Sequence, residues 1–189
     1  MARTKTGNKK ECILAAATVL VAAHGAAVSV RQVAEQAEVA HGTVFLYFAN
    51  KEALLGELQA CLRARILASM APAHAAQACL RERLRACWNG YIDWALAHPL
   101  EYQALKRLAE DDGRSGTAAA HDDPMFRDAG ILHDIRGCAG LRDRPFAYFE
   151  ALFLSLAQIA IRFSTSDPAG VEKYKASGFD AIWQILANP

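Results

Sequence analysis

Acidic and histidine side chains that lie close together in the chain are the first candidates for chemistry. Glu38 and His41 form an E-x-x-H pair, half of the motif that holds the metals of helical di-metal carboxylate enzymes. Such a centre needs two pairs and two further glutamates, whereas this pair occurs once and falls in a predicted turn. A second group has no spacing that fixes a coordination geometry, and a solvated loop explains it better: His121, Asp122, Asp123, His133 and Asp134.

Other chemical signatures are missing from the sequence. It contains no glycine-rich phosphate loop, no nucleophile elbow and no recognisable Ser/His/Asp arrangement. The five cysteines are scattered without a C-x-x-C pair, so they predict neither a zinc ribbon nor a disulfide framework. We therefore expect a protein that is not an enzyme, holds no metal or cofactor, and keeps most cysteines as reduced thiols in helices.

A different set of polar residues surrounds a short helix predicted from His41 to Phe48. Before it, Ser29 and Gln32 form an S-x-x-Q capping box that opens a helix ending near Ala37. A capped helix of two turns, a tight turn and a second short helix are typical of a helix-turn-helix. The residues expected to pack inward are Val33, Ala34, Val39, Val44, Phe45 and Phe48.

The outer face of the second short helix is the candidate reading surface. It is expected to carry His41, Gly42, Thr43, Leu46 and Tyr47. Only three or four side chains of one helix can face base edges in the major groove, and we select Thr43 and His41. The alternative is that the two helices are simply packed parts of a bundle, with Tyr47 and Phe48 in its core.

Charge is distributed unevenly along the chain. Residues 1–51 hold six Lys or Arg against three Glu, a balance of +3, while the whole chain is only +1, so the remainder is −2. The basic end predicts an affinity for anions, although a basic tail that binds nothing in particular would look the same.

Three linked segments resemble the TetR family signature: Val30–Ala34, Val39–Phe48 and Asn50–Leu55. The resemblance covers about residues 10 to 58 and implies that the helix after the turn is the recognition helix. It also implies that Tyr47 and Lys51 contact phosphates. A phenol can donate to a phosphate oxygen, and a lysine adds a cation to a helix N-terminus. The DNA-binding candidates are Ser29, Arg31, His41, Gly42, Thr43, Tyr47 and Lys51.

Three positions depart from the family pattern. Glu38 stands where the family usually has glycine, so either the turn accepts a left-handed glutamate or its geometry differs. Ala40 replaces the usual hydroxyl cap of the recognition helix. The connection from Gly25 to Ser29 is one residue shorter than usual and has Ala26 in place of an aromatic residue.

Apolar residues recur at three and four along the whole chain, which predicts an all-α protein. We expect a helix-turn-helix domain over residues 1–51 and a helical effector-binding and dimerisation domain over 52–189. Gly25 is expected to form a left-handed cap at the end of the first helix, and Asn50 to cap the start of the fourth helix, which Pro72 is expected to end. Asp111 to Asp123 are expected to form a mobile loop. The predicted helices run from about 8 to 24, 30 to 37, 41 to 48, 51 to 71, 75 to 97, 100 to 110, 124 to 136, 146 to 163 and 171 to 186.

Aromatic residues recur at spacings of three along the fifth predicted helix. Such a stripe usually belongs to a core, but in a helical bundle it can also line an apolar pocket, and both interpretations stay open. The loop from Asp111 to Asp123 would be the pocket's movable edge. The candidates for binding a small apolar or aromatic effector are Trp88, Tyr91, Trp94, Tyr102, Phe126 and Phe153.

The last two predicted helices have more apolar surface than one chain needs. A helix that is apolar on all sides must be buried on all sides, either by its own chain or by a second copy. The TetR resemblance implies a two-fold four-helix interface built from these helices; a core within one chain is the alternative. The dimerisation candidates are Phe149, Leu156, Ala160, Phe163, Ile182 and Trp183.

The sequence thus predicts a DNA-binding transcriptional regulator, a repressor that binds a palindromic operator as a homodimer and is released by a small-molecule effector. No run of eighteen uninterrupted apolar residues occurs, so we expect a cytoplasmic protein without a membrane partner. The competing hypothesis is a helical small-molecule-binding protein or enzyme whose N-terminal helices are only scaffold.

Overall fold

A computed structural model describes residues 9–75, 79–114, 135–141 and 144–187. These residues form eight α-helices, three single 3₁₀ turns and no strand, which confirms the all-α prediction. The helices are α1 Lys9–His24, α2 Val30–Gln36, α3 His41–Phe45, α4 Lys51–Ala75, α5 Leu80–Ala97, α6 Pro99–Arg114, α7 Phe146–Ser166 and α8 Val171–Ala187.

Several predicted helix bounds are wrong. Helix α3 ends at Phe45 and not at Phe48, α5 begins at Leu80 and not near Ala75, and α7 ends at Ser166 and not at Phe163.

The ends of α4 and α6 also differ from the prediction. Helix α4 continues through Pro72 to Ala75, because a proline removes only one backbone hydrogen bond and a helix of 25 residues can absorb that loss near its end. Helix α6 continues to Arg114, so the first four residues of the predicted loop 111–123 are helical. The rest of that loop, and all but the last two residues of the helix predicted over 124–136, lie outside the described residues.

The chain divides into two compact units. The first contains α1, α2, α3, the part of α4 up to Arg63, and α6; the second contains the rest of α4, α5, α7 and α8. This differs from the division expected after Lys51. The reason is that Leu54 and Leu58 of α4, and Ala104 and Leu108 of α6, belong to the same buried cluster as α1 and α2.

A hydrogen bond from α6 fixes the end of α1 in the first unit. The backbone N–H of Ala26 donates to Asp111 Oδ2 at 2.7 Å. Gly25 has a φ of +65°, the left-handed helix end that the sequence predicts, and a Cβ at Gly25 would lie 2.9 Å from Asp111 Oδ2. The glycine therefore provides both the left-handed turn and the space for the carboxylate.

The second unit is centred on Trp88 of α5. Its ring is fully buried, and its Nε1 donates to the backbone oxygen of Lys175 at 2.9 Å. A Cβ at Gly178 would lie 2.6 Å from Trp88 Cζ2, so the glycine lets α8 approach the ring. The Lys175 ammonium forms ion pairs with Asp93 and Glu172. Burial alone would lower the pKa of Lys175, but hydrogen bonds to these two carboxylates raise the pKa above its usual value.

Two segments, Lys9–Ala27 and Phe146–Ser166, are long and apolar enough by composition to cross a membrane. Core helices of globular proteins have the same composition. Here Ile13, Ala17 and Val21 of α1 are fully buried in the first unit, and Phe153 and Ala157 of α7 are fully buried in the second. The apolar faces of these segments thus already contribute to two protein cores.

The turn between α2 and α3 contains a left-handed glutamate, the first of the two alternatives the sequence leaves open. Glu38 has a φ of 54°, and within the described residues it is the one non-glycine residue with positive φ. This conformation is unfavourable for a residue with a Cβ. The turn is held by two backbone bonds, from the N–H of Glu38 to the oxygen of Glu35 and from the N–H of Val39 to that of Ala34.

We expect Glu38→Gly to raise the free energy of unfolding by about 1 kcal/mol, because glycine adopts positive φ without strain. Glu38→Ala removes the same carboxylate but keeps the strain, so it should leave stability near that of the wild type. Urea unfolding of all three proteins measures the difference. Equal stabilisation by glycine and alanine would show that the carboxylate, and not the backbone strain, is responsible.

Candidate DNA-binding site

Helix α2 is held by the predicted capping box. The hydroxyl of Ser29 accepts from the backbone N–H of Gln32 at 3.2 Å, and Gln32 Oε1 accepts from the backbone N–H of Ser29 at 2.9 Å. Val33 and Ala34 of α2 are buried, with 0% and 2% exposure, and the small side chain of Ala34 leaves room for a neighbouring helix. The box fixes where α2 starts, and these two residues fix which side faces the core.

Helix α3 is short and is oriented by two buried residues. Val44 is 1% exposed and Phe48, three residues beyond the helix end, is 3% exposed. Ala40 accepts the backbone N–H of Thr43 at 2.8 Å through its own carbonyl but provides no side-chain cap, as its methyl group implies. The position of α3 therefore depends on packing against the first unit's core.

The prediction that Phe45 packs inward is wrong. Its side chain is 44% exposed and its ring meets the ring of His41 edge to face, with centroids 5.1 Å apart. Residue 45 follows Val44 by one step of about 100° around the helix, so the two cannot share the buried direction. The sequence-based assignment gave too much weight to the apolar character of phenylalanine.

The other residues expected on the outer face are accessible to different degrees. His41, Gly42, Leu46 and Tyr47 are exposed, whereas Thr43 is half-buried. Nothing lies within 4 Å of a Cβ built on Gly42, so the fold of the described residues does not require glycine there.

The cationic candidates flank α3 in the chain. Arg31 on α2 is exposed and pairs with Glu35 at 2.9 Å, an exposed pair of the kind that contributes little stability. Lys51 is half-buried at the first position of α4, whose N-cap Asn50 accepts the N–H of Ala53 at 2.7 Å, as predicted. A shallow open groove of about 500 Å³ between α2 and α3 is lined by Arg31, Ala34, Glu35, Val39 and His41.

The beginning of α1 is attached to the same region by a lysine. Lys10 Nζ donates to Glu57 Oε1 at 2.7 Å and lies 5.8 Å from the ring centroid of Phe48. This pair was not predicted, since residues 47 positions apart leave no local sequence signal. It adds a contact on the ring that orients α3.

Metal-binding groups were the weaker interpretation of the acidic and histidine residues. Within the described ranges, no three His, Cys, Asp or Glu side chains are placed to hold a metal ion. The group from His121 to Asp134 lies outside those ranges.

All five cysteines are free thiols. Burial raises the pKa of the Cys87 thiol to about 11, and the charge of Arg83 partly opposes this increase.

The effector candidates fall into separate parts of the chain. Trp88, Tyr91, Trp94 and Phe153 are buried in the second unit, where Phe153 lies 5.2 Å from Trp88 and 5.8 Å from Tyr91 between ring centroids. Tyr102 is half-buried on α6 of the first unit, and Phe126 lies outside the described residues. The effector site stays a prediction.

The dimerisation candidates separate by burial. Phe149, Ala160 and Ile182 are at most 3% exposed within the single chain, so little of their surface is left for a partner. Phe163 is 44% exposed, and Leu156 and Trp183 are half-buried. The neighbouring Ile159, which was not among the candidates, is 48% exposed on α7.

Comparison with known proteins matches both the motif and the fold. Residues 13–58 match the family model of bacterial regulatory proteins, tetR family, which covers most of α1, all of α2 and α3, and the start of α4. A TetR family transcription regulator from Marinobacter aquaeolei VT8 is similar in structure, with a TM-score of 0.76, 20% identity and 100% coverage of both chains.

A TetR-like transcriptional regulator from Rhodococcus sp. RHA1 is also similar, with a TM-score of 0.68, 20% identity, and coverage of 99% of this chain and 100% of that one. At this identity the two structures show a shared fold, while the family model matches the motif itself. Residues 13–58 thus match the motif of the tetR family of bacterial regulatory proteins, and the chain shares its fold with these two regulators.

Proposed function

We propose that this regulator is a repressor that binds an inverted-repeat operator as a homodimer and leaves it when a small molecule binds to the second unit. The observation that carries the proposal is the outer face of α3, which is exposed while Val44 and Phe48 are held in a core. An exposed helix held rigidly on a helix-turn-helix is suited to the major groove. Such a regulator would act in the bacterial cytoplasm, where the chromosome is.

Two classes of contact are proposed for the DNA. Tyr47 and Lys51, together with Ser29 and Arg31 on α2, would bind phosphates and set the position of α3. Residues on α3 itself, Thr43 among them, would contact base edges in the groove. On DNA, Arg31 would exchange its exposed pair with Glu35 for a phosphate, a change that costs little because the pair is solvated.

A homodimer is supported by the apolar surface that α7 leaves exposed. Ile159 and Phe163 are four residues apart, so they lie on one side of the helix, and Leu156 points within about 20° of the direction of Phe163. Two copies related by a two-fold axis through this face would bury the same residues from each copy, and the dimer would have two recognition helices. Two half-sites about one helical turn apart, or a multiple of it, would match them.

The effector is proposed to be a small apolar or aromatic compound. The support is the cluster of Trp88, Tyr91 and Phe153, whose rings pack edge to face in the apolar interior of the second unit. The dimer would have two conformations that differ in the distance between the recognition helices and in operator affinity. A compound that binds one conformation more tightly would shift the dimer toward it.

The phosphate and base roles predict different losses. Lys51→Ala and Tyr47→Phe should weaken binding to an operator, obtained by selection from random DNA, and to unselected DNA by similar factors. Lys51→Ala should also reduce the salt slope by about one unit per protomer. Thr43→Ala should cost about 1–3 kcal/mol per lost base contact on the operator and little on unselected DNA.

Titrations of each variant on both DNAs at several salt concentrations measure these losses. A selective operator loss from Lys51→Ala, with a uniform loss from Thr43→Ala, would mean that the helix is rotated in the groove relative to the proposal. Failure of the wild type to enrich any sequence from random DNA would contradict the function itself.

The oligomeric state depends on residues of α7 with different burial. Phe163→Asp, at an exposed position, should give a folded monomer, because a carboxylate is unfavourable in an apolar interface but harmless in water. Phe149→Asp, at a position 1% exposed, should instead destabilise the second unit. Sedimentation measures the mass, and circular dichroism measures the fold. A wild type that stays monomeric at micromolar concentration would refute the dimer.

An effector should act on fluorescence and on DNA binding together. Among small apolar and aromatic compounds, those that quench the fluorescence of Trp88 should also lower operator affinity, and a Trp183→Phe background reduces the signal from outside the cluster. Compounds that bind the second unit but leave operator affinity unchanged would refute the coupling while leaving the pocket intact.

A further inference from the structure

A leucine occupies the outward-facing side at the end of α3, at the C-cap position that follows Phe45. At about 100° per residue, Val44 and Phe48 point in nearly the same direction, and Leu46 lies roughly opposite to both. Leu46 keeps a helical backbone, with φ of −71° and ψ of −23°, and is 81% exposed. Packing of the two buried residues therefore turns an apolar side chain straight outward.

The position beside Leu46 on this face has no side chain. Gly42 lies one helical turn earlier and is exposed, with nothing within 4 Å of where a Cβ would be. Glycine inside a helix costs about 1 kcal/mol relative to alanine, and no described neighbour requires it here. Gly42 and Leu46 together form a surface on which exposed backbone lies next to one isobutyl side chain.

The side chains that make bidentate hydrogen bonds to purines are missing from residues 41–48. Bidentate recognition of guanine needs Arg or Lys, and that of adenine needs Asn or Gln. Residues 41–48 read His-Gly-Thr-Val-Phe-Leu-Tyr-Phe and contain none of these four types. The major groove presents one apolar group, the C5-methyl of thymine, and an apolar side chain is what recognises it.

We propose that Leu46 is a specificity-determining residue that reads the C5-methyl group of a thymine in each half-site, with Gly42 allowing the close approach. This inference rests on the proposed DNA-binding function and names the base feature that the site recognises. Double-stranded DNA is the occupant favoured by charge, since Arg31 and Lys51 flank this face in the chain and phosphates are anionic.

The experiment removes the methyl group without changing the base pairing. The full-length protein selects its preferred sequence from random duplex DNA, and the selected duplex is then synthesised with deoxyuridine in place of thymine, one position at a time. At the thymine that faces Leu46, the wild type should lose about fourfold in affinity for each methyl removed, and about 15-fold when both half-sites are changed.

Two variants separate the methyl contact from other effects of deoxyuridine. Leu46→Ala should bind the thymine and deoxyuridine duplexes equally, because the side chain that senses the methyl is gone. Leu100→Ala makes the same change at another exposed leucine of the first unit, 57% exposed on α6, and should keep the wild-type discrimination. Deoxyuridine placed outside the half-sites should have no effect on any of the three proteins.

The outcomes distinguish this inference from the proposed function. If a sequence is enriched but no single deoxyuridine weakens wild-type binding, or if Leu46→Ala keeps the discrimination, the thymine-reading role of Leu46 is overturned and DNA binding stands. If no sequence is enriched and no duplex is bound, the proposed function has failed as well.

Discussion

The burial of Val44 and Phe48 is the constraint on which the site depends. Helix α3 has only five residues and no side-chain cap, so it is far too short to be stable by itself. Each of these two side chains contributes about 1.5–3 kcal/mol when fully buried, and together they set the rotation of the helix. Because Val44 and Phe48 face the core, the side chains that point away from them, including those of His41 and Leu46, are exposed. The left-handed conformation of Glu38 reverses the chain between α2 and α3, and Val44 then lies in the core.

The unit that holds this motif extends beyond the N-terminal sequence. Asp111 is 85 positions from Ala26, yet its carboxylate accepts the N–H that the end of α1 would otherwise leave to solvent. Ala104 and Leu108 of the same helix complete the core around α1. The helix-turn-helix and α6 therefore belong to one compact unit, although α5 lies between them in the chain.

Local signals allowed most of the motif to be predicted, and non-local packing explains the rest. The Ser29 box, the Asn50 cap and the left-handed Gly25 each depend on residues within a few positions of one another. The apolar side chain of Phe45 predicts burial, and the four or five residues of α3 give no periodicity clear enough to correct that prediction. Asp111 could not be found, since its partner is distant in sequence and its own neighbourhood resembles a loop. For α7, periodicity shows an excess of apolar surface but does not say which apolar residues the chain itself buries. The structure buries Phe149 within the chain and leaves Phe163 exposed.

The ratio of two affinities measures whether this protein binds DNA sequence-specifically. The full-length protein would be titrated at one salt concentration against the duplex it enriches from random DNA and against a shuffled duplex of equal length and composition. We expect the enriched duplex to contain an inverted repeat and to be bound at least about 10³-fold more tightly than the shuffled DNA. Equal affinity for the two duplexes would contradict this expectation, because charge alone would then explain the binding.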